Sequence, residues 1–173
     1  MFSHSDYISL FEGIAEKHVD IRHKDGGEAF AVIQIEPNSL FDSIDLSDYK
    51  NAKKRIKAPF MILQAEDSEY DKKFDQKRSY VNGAFIIADK VNDRSDKTEI
   101  RERTKRIGEE IIGYLGEKIN HGRLYGADVR FLEPKAKSEF VGPFDGFLGA
   151  RFLVTFELLA NRNLEYKPER FGE

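Results

Sequence analysis

Apolar residues fall into two periodicities along this chain, and they divide it into helices and strands. Tyr7, Leu10, Phe11, Ile14, Ala15 and His18 recur at helical spacing, with Glu12, Glu16 and Lys17 on the opposite face. Ser3 or Ser5 can cap this helix, and Asp6 stands in its first turn, where the helix dipole favours an acid. A second helix is marked by Ile100, Thr104, Ile107, Ile111, Leu115 and Ile119. Asp96 followed by Glu99 gives it a capping-box-like start. Gly108 sits at the edge of that stripe, where it would let a sheet or another helix approach closely.

The strands follow a different rhythm. EAFAVIQIE (28–36) reads as a buried strand stopped by Pro37 and Asn38, and Pro59 opens the short strand PFMILQAE. SYVNGAFIIADKV is a long strand in which Gly83 marks a candidate bulge. ADVRFLEP is a strand stopped by Pro134, and EFVGPFDGFLG is a turn region punctuated by Gly and Pro. In ARFLVTFELLA (150–160), Phe152, Val154, Phe156, Leu158 and Ala160 alternate with Arg151, Leu153, Thr155, Glu157 and Leu159. One face is wholly apolar and the other mixed, the pattern of a half-buried strand that is central in its sheet.

Between these elements lie an aperiodic excursion at 38–58, with a short helix expected near 47–54, and the charged stretch EDSEYDKKFDQKR at 66–78. The second reads as a solvated loop joining two strands of an extended hairpin, and residues 161–173 read as a polar tail. Strand runs between two helices predict an α+β domain spanning 1–173: an antiparallel sheet with both amphipathic helices on one face.

Composition narrows the function. Hydrophobic residues make up 40% and charged residues 34%, too apolar for disorder and heavily charged at the surface. A net charge of −3 with pI near 5.9 argues against bulk nucleic-acid binding. The absence of cysteine removes disulfides and thiolate sites. MFSHSDYISL lacks the basic and apolar regions of a secretory signal, and no apolar run approaches the roughly 20 residues of a membrane helix, so a cytoplasmic protein is expected.

Candidate chemistry is sparse. His18, Asp20, His23 and Asp25 are ligand types for a divalent metal, but their spacing matches no strong motif, and packing or capping is the expected role. The acids at 66–75 lack the glycine and terminal glutamate of a calcium loop. No serine stands in GxSxG, and neither a P-loop nor GxGxxG occurs, so no catalytic residue and no cofactor is assigned.

The stretches FMILQ and YVNGAFIIADKV, the helix TEIRERTKRIGEEIIGYL and the closing GFLGARFLVTFELL, in that order, resemble the small neck and tail-end proteins of tailed phages and prophages, the tail terminators and tail-completion proteins. The excursion at 38–58 is longer than that layout requires. The resemblance implies a structural subunit and not an enzyme, assembling with itself in a ring and with other tail or head-completion proteins, and incorporated into a virion. Its contact surfaces would then be the basic cluster Lys50, Lys53, Lys54, Arg55 and Lys57 and the charged set Glu66, Asp67, Glu69, Asp71, Lys72 and Lys73. The competing expectation is a small α+β ligand-binding domain or enzyme with a pocket that sequence does not nominate.

Overall fold

The computed structural model describes residues 2–25, 27–33, 56–73, 76–92, 96–144, 146–159 and 168–170. Among them are helix α1 (His4–Lys17), strands β1 (Glu28–Ile33), β2 (Ile56–Lys73) and β3 (Gln76–Lys90), helix α2 (Lys97–Asn120), and strands β4 (Val129–Phe131), β5 (Lys137–Phe144) and β6 (Phe147–Leu158). The six strands form one sheet in the order β1-β2-β3-β6-β4, with β5 also paired to β6. The fold is α+β, and the sheet is mostly antiparallel.

Two expectations about the sheet need correction. β1 runs parallel to β2, so the sheet is mixed. The stretch read as a Gly/Pro turn region is strand β5, hairpinned onto β6, with β4 and β5 sharing one flank of β6 end to end. Gly and Pro are tolerated there because β5 is an edge strand among the described residues, and an edge strand does not need a donor from every residue.

The helices start where their caps dictate. The Ser3 side chain accepts from the Asp6 amide while Asp6 accepts from the Ser3 amide, a complete capping box. Asp96 accepts from the Thr98 amide and caps α2; the reciprocal Glu99 half of the expected box is not formed. The expected apolar stripes are buried, Tyr7, Leu10, Phe11, Ile14 and Ala15 on α1 and Ile100, Thr104, Ile107, Ile111, Leu115 and Ile119 on α2, while His18, also expected on the α1 stripe, is the half-buried C-cap.

Both helices pack on the face of the sheet that carries Phe85, Phe152, Val154 and Phe156. Phe11 lies 5.3 Å from Phe85 and 6.4 Å from Phe156, ring centre to ring centre. Phe85 stacks on its cross-strand partner Phe152 at 5.1 Å. Gly108 of α2 lies on the Phe152 ring: a Cβ there would come within 2.0 Å of it, so only glycine permits this approach.

The opposite sheet face is buried too, which the mixed pattern of β6 did not predict. Phe60, Ile62, Ile86 and Phe147 on this face are at most 3% exposed. Arg151 and Glu157, whose charges marked this face as solvent-facing in the sequence, are buried in pairs instead. Arg151 Nη1 donates to Glu139 at 3.0 Å, and Arg78 Nη1 to Glu157 at 2.8 Å. A paired charge can be buried where a lone one cannot.

Candidate functional site

The segment expected as a charged loop is an arm made of strand. β2 and β3 stay in register from Asp67↔Asn82 through Asp71↔Arg78 to Lys73↔Gln76. The reason lies in the backbone. Hairpin pairing is local and is made by main-chain groups, so it continues where the side chains carry charge and lose their apolar period. Among the described residues, Asp67–Lys73 pair with β3 alone. Among the described residues β3 joins β6 only from Ser79 onward, so among them the far end of the hairpin extends past the sheet as a two-stranded ribbon. Tyr70 on this ribbon is 67% exposed.

The root of the arm is built from buried polar contacts that sequence reading did not single out. A bulge in β2 sets Ala65 and Glu66 opposite the single residue Gly83. The expected bulge is therefore present, but on the partner strand; Gly83 has a different task. A Cβ at Gly83 would meet the Tyr7 hydroxyl at 2.2 Å, so glycine makes room for Tyr7. Tyr7 donates to the Gln64 carbonyl oxygen at 3.2 Å, and His4 Nδ1 lies 2.6 Å from Glu66 Oε1. Burial raises the Tyr7 pKa well above its ordinary value, and the Glu66 charge adds to the rise.

On the other face, Gln64 Oε1 accepts from Arg151 Nε at 2.6 Å, which ties the side chain of the same residue to β6. Arg78 and Arg130 converge on buried Glu157 at 2.8 and 3.8 Å. The arm is thus clamped from both faces where it leaves the sheet. Bulges bend a strand and increase its twist, which here sets the direction of the ribbon. The sequence signal was present but faint: Gln64 and Arg151 are lone polar residues inside the apolar runs FMILQ and ARFLVTF.

The expected contact residues fall in different places. Lys57 is exposed near the start of β2, whereas Glu69 is exposed on the arm, twelve residues along the same strand and roughly 40 Å away at about 3.3 Å per residue. Glu66 is turned inward; its side chain is 12% exposed and faces His4. Asp67 is half-buried. Asp71, Lys72 and Lys73 belong to the ladder, with side chains outside the described residues. Lys50, Lys53, Lys54 and Arg55, and the short helix expected at 47–54, also lie outside the described residues, as does most of the 161–173 tail.

Two other places carry chemistry. His18, Asp20 and Glu110 bring ligand atoms within 4.8 Å of one another, joining half of the sequence cluster to α2. Arg106 already occupies the centre of this group, donating to Asp20 at 2.9 Å and to Glu110 at 2.8 Å, and these two partners raise its pKa. The set works as an ion-pair latch between the turn after α1 and α2. His23 turns away from it: its Nδ1 accepts from the Ala29 amide at 3.0 Å.

A cleft of about 560 Å³ opens beside the start of α2, lined by Lys57, Asp89, Lys90, Asp96, Glu99 and Arg103 among others. Its one deeply placed carboxylate, Asp89, is paired with Arg103 at 3.0 Å. Among the described residues, no helix is long and apolar enough to cross a membrane. No protein-family model matches the chain, and no curated protein matches it in sequence.

Proposed function

We propose that this chain is a non-enzymatic assembly subunit, similar in role to the tail-terminator and tail-completion proteins. It works by contacts between copies of itself and with other tail or head-completion proteins. The observation that carries the reading is the β2–β3 arm: a hairpin that continues past its sheet, bears charge on both strands and exposes Tyr70. Such a ribbon adds nothing to the core, and its root is fixed by Tyr7, Gly83, Gln64 and Arg78. A rigidly aimed, exposed, charged element suits specific docking, because complementary charge sets register between partners. Order and texture of the elements add support through the tail-end likeness, which by itself indicates a fold and not a role. Sedimentation velocity on the purified protein, from nanomolar to high-micromolar concentration, tests the reading. A discrete oligomer is the expected result; a monomer throughout would remove self-assembly from the account.

A further inference from the structure

The connection from α1 to β1 is tied together by a histidine. His23 is 8% exposed, and its own amide donates to the Ala15 carbonyl oxygen of α1 at 3.0 Å. Its ring bridges two elements. Nδ1 accepts from the Ala29 amide of β1 at 3.0 Å, and Nε2 stands 3.6 Å from Glu12 Oε1 of α1. A main-chain amide can only donate, so Nδ1 carries no proton in this contact, and the ring is the neutral tautomer with its hydrogen on Nε2.

Ala29 needs this acceptor. It is fully buried, where an amide without a partner is costly. The β1–β2 ladder passes it over: the register runs from Glu28↔Ile56 to Phe30↔Met61 with an irregularity between, and Ala29 has no partner residue on β2. The turn leading to β1 holds Arg22 at φ 50° and Lys24 at φ 68°, in the left-handed region that side chains rarely adopt. Such conformations persist where the surroundings fix them, and His23 stands between the two.

A proton changes the contact. An imidazolium carries hydrogen on both nitrogens, so Nδ1 ceases to accept and its N–H opposes that of Ala29. The Glu12 end behaves in the opposite way. Nε2–H faces the carboxylate in both forms, and the charged ring is attracted to it more strongly. Lys24, 2.8 Å from Glu12, is the main cause that lowers the Glu12 pKa, and His23 adds to it. Glu16 is the second partner of Lys24. From β1 the ring meets Phe30, 5.7 Å away centre to centre. Among the described residues, Glu12 is the one charged group in ion-pair reach of His23.

We infer that His23 is a proton-operated catch between α1 and the start of β1. With a neutral ring the catch is closed. When the ring takes up a proton, Glu12 keeps hold of Nε2, Nδ1 releases Ala29, and the first residues of β1 loosen. The open form binds one proton more than the closed form, so falling pH favours it and rising pH closes it. Histidine suits the task because it ordinarily changes charge between about pH 5 and 8. The catch is separate from the arm and stands whether or not copies assemble.

Amide hydrogen exchange of the whole chain by NMR, expressed as protection factors at about pH 7.5 and about pH 5.5, tests it. The Ala29 amide is expected to lose about tenfold of its protection at the lower pH, while Ile107 and Ile111 of α2 keep theirs. His23→Asn keeps an acceptor oxygen near the Nδ1 position and does not titrate, so its Ala29 protection should be the same at both pH values. Long-range nitrogen–proton spectra of the wild-type ring need no variant. They should show the Nε2–H tautomer at neutral pH and protonation of Nδ1 with the same midpoint as the loss of Ala29 protection. The catch is overturned if Ala29 protection does not depend on pH, falls equally in His23→Asn, or falls together with Ile107 and Ile111 in a global opening. A ring that carries its neutral-pH hydrogen on Nδ1, or that titrates with a different midpoint, overturns it as well.

Discussion

The same two strands, β2 and β3, build two regions with opposite physics. From Phe60 to Gln64 and from Ala84 to Ala88 they are fully buried on both faces, and every side chain contributes packing. A few residues further on, beyond the bulge at Ala65 and Glu66, β2 carries Ser68, Glu69 and Tyr70 into solvent. Antiparallel pairing of β2 with β3 continues on both sides of the bulge, while the use of the side chains changes. Backbone pairing is therefore no guide to what a strand is for. In the body it serves the core, and in the arm it holds exposed side chains away from the core.

The largest effects should come from the body. Phe156 is fully buried and touches the rings of Phe2, Phe11 and Phe131. Phe156→Ala should cost about 3–5 kcal/mol in urea denaturation. Its neighbour Thr155, on the other face, makes one hydrogen bond to Asn82 at 3.0 Å, so Thr155→Ala should cost about 1 kcal/mol. Equal losses would break the face assignment. Next comes Gly108→Leu, which forces a side chain onto Phe152; the stacked Phe85 leaves that ring no room to yield. A loss of about 1–3 kcal/mol is expected, and a raised melting temperature would show the helix face to be wrong.

The root of the arm should give an intermediate, pH-dependent effect. Tyr7 keeps its proton in the fold well above the value of about 10 at which the unfolded chain loses it, because it is buried and faces Glu66. The folded state then binds more protons than the unfolded state at alkaline pH. Stability from this group is complete below about pH 10 and declines as pH rises further. Tyr7→Phe should lose about 1 kcal/mol at neutral pH with the Gln64 hydrogen bond, and should show a shallower alkaline decline. An unchanged alkaline slope in thermal melts would mean that the hydroxyl is not held as described.

Both helices and the central strand were legible in the sequence because their apolar residues keep a strict period and their caps are local. Ser3 with Asp6, Asp96, and the Ile107–Ile111–Leu115 stripe required no knowledge of the rest of the chain. The arm was not legible as strand, since period 2 appears only when one face is buried, and the consecutive Ser68, Glu69 and Tyr70 are all exposed. β5 was hidden for a related reason: its stability comes from pairing with β6, not from its own Gly- and Pro-containing residues. The parallel placement of β1 depends on which strand it meets, a non-local choice. Within the charged stretch expected to be solvated, Glu69 is exposed, whereas Glu66 lies at the bulge and turns inward to His4.

The smallest stability effect belongs to the arm itself. Glu69→Lys should change stability by no more than about 0.5 kcal/mol, as for an exposed residue without a partner among the described residues, while weakening self-association at low salt. A loss as large as that of Tyr7→Phe would erase the distinction between arm and root.

The division of labour between body and arm is tested most directly by removing the ribbon. Residues 72–77 are replaced by Asn-Gly, a sequence suited to a two-residue hairpin turn between the paired Asp71 and Arg78 that keeps Arg78 on Glu157, together with Tyr70→Ser. Thermal melts and sedimentation velocity are then measured on the same preparation. The account predicts an unchanged melting temperature for the subunit and loss of the oligomer. An oligomer that survives the excision, or a subunit that no longer unfolds cooperatively, would contradict it.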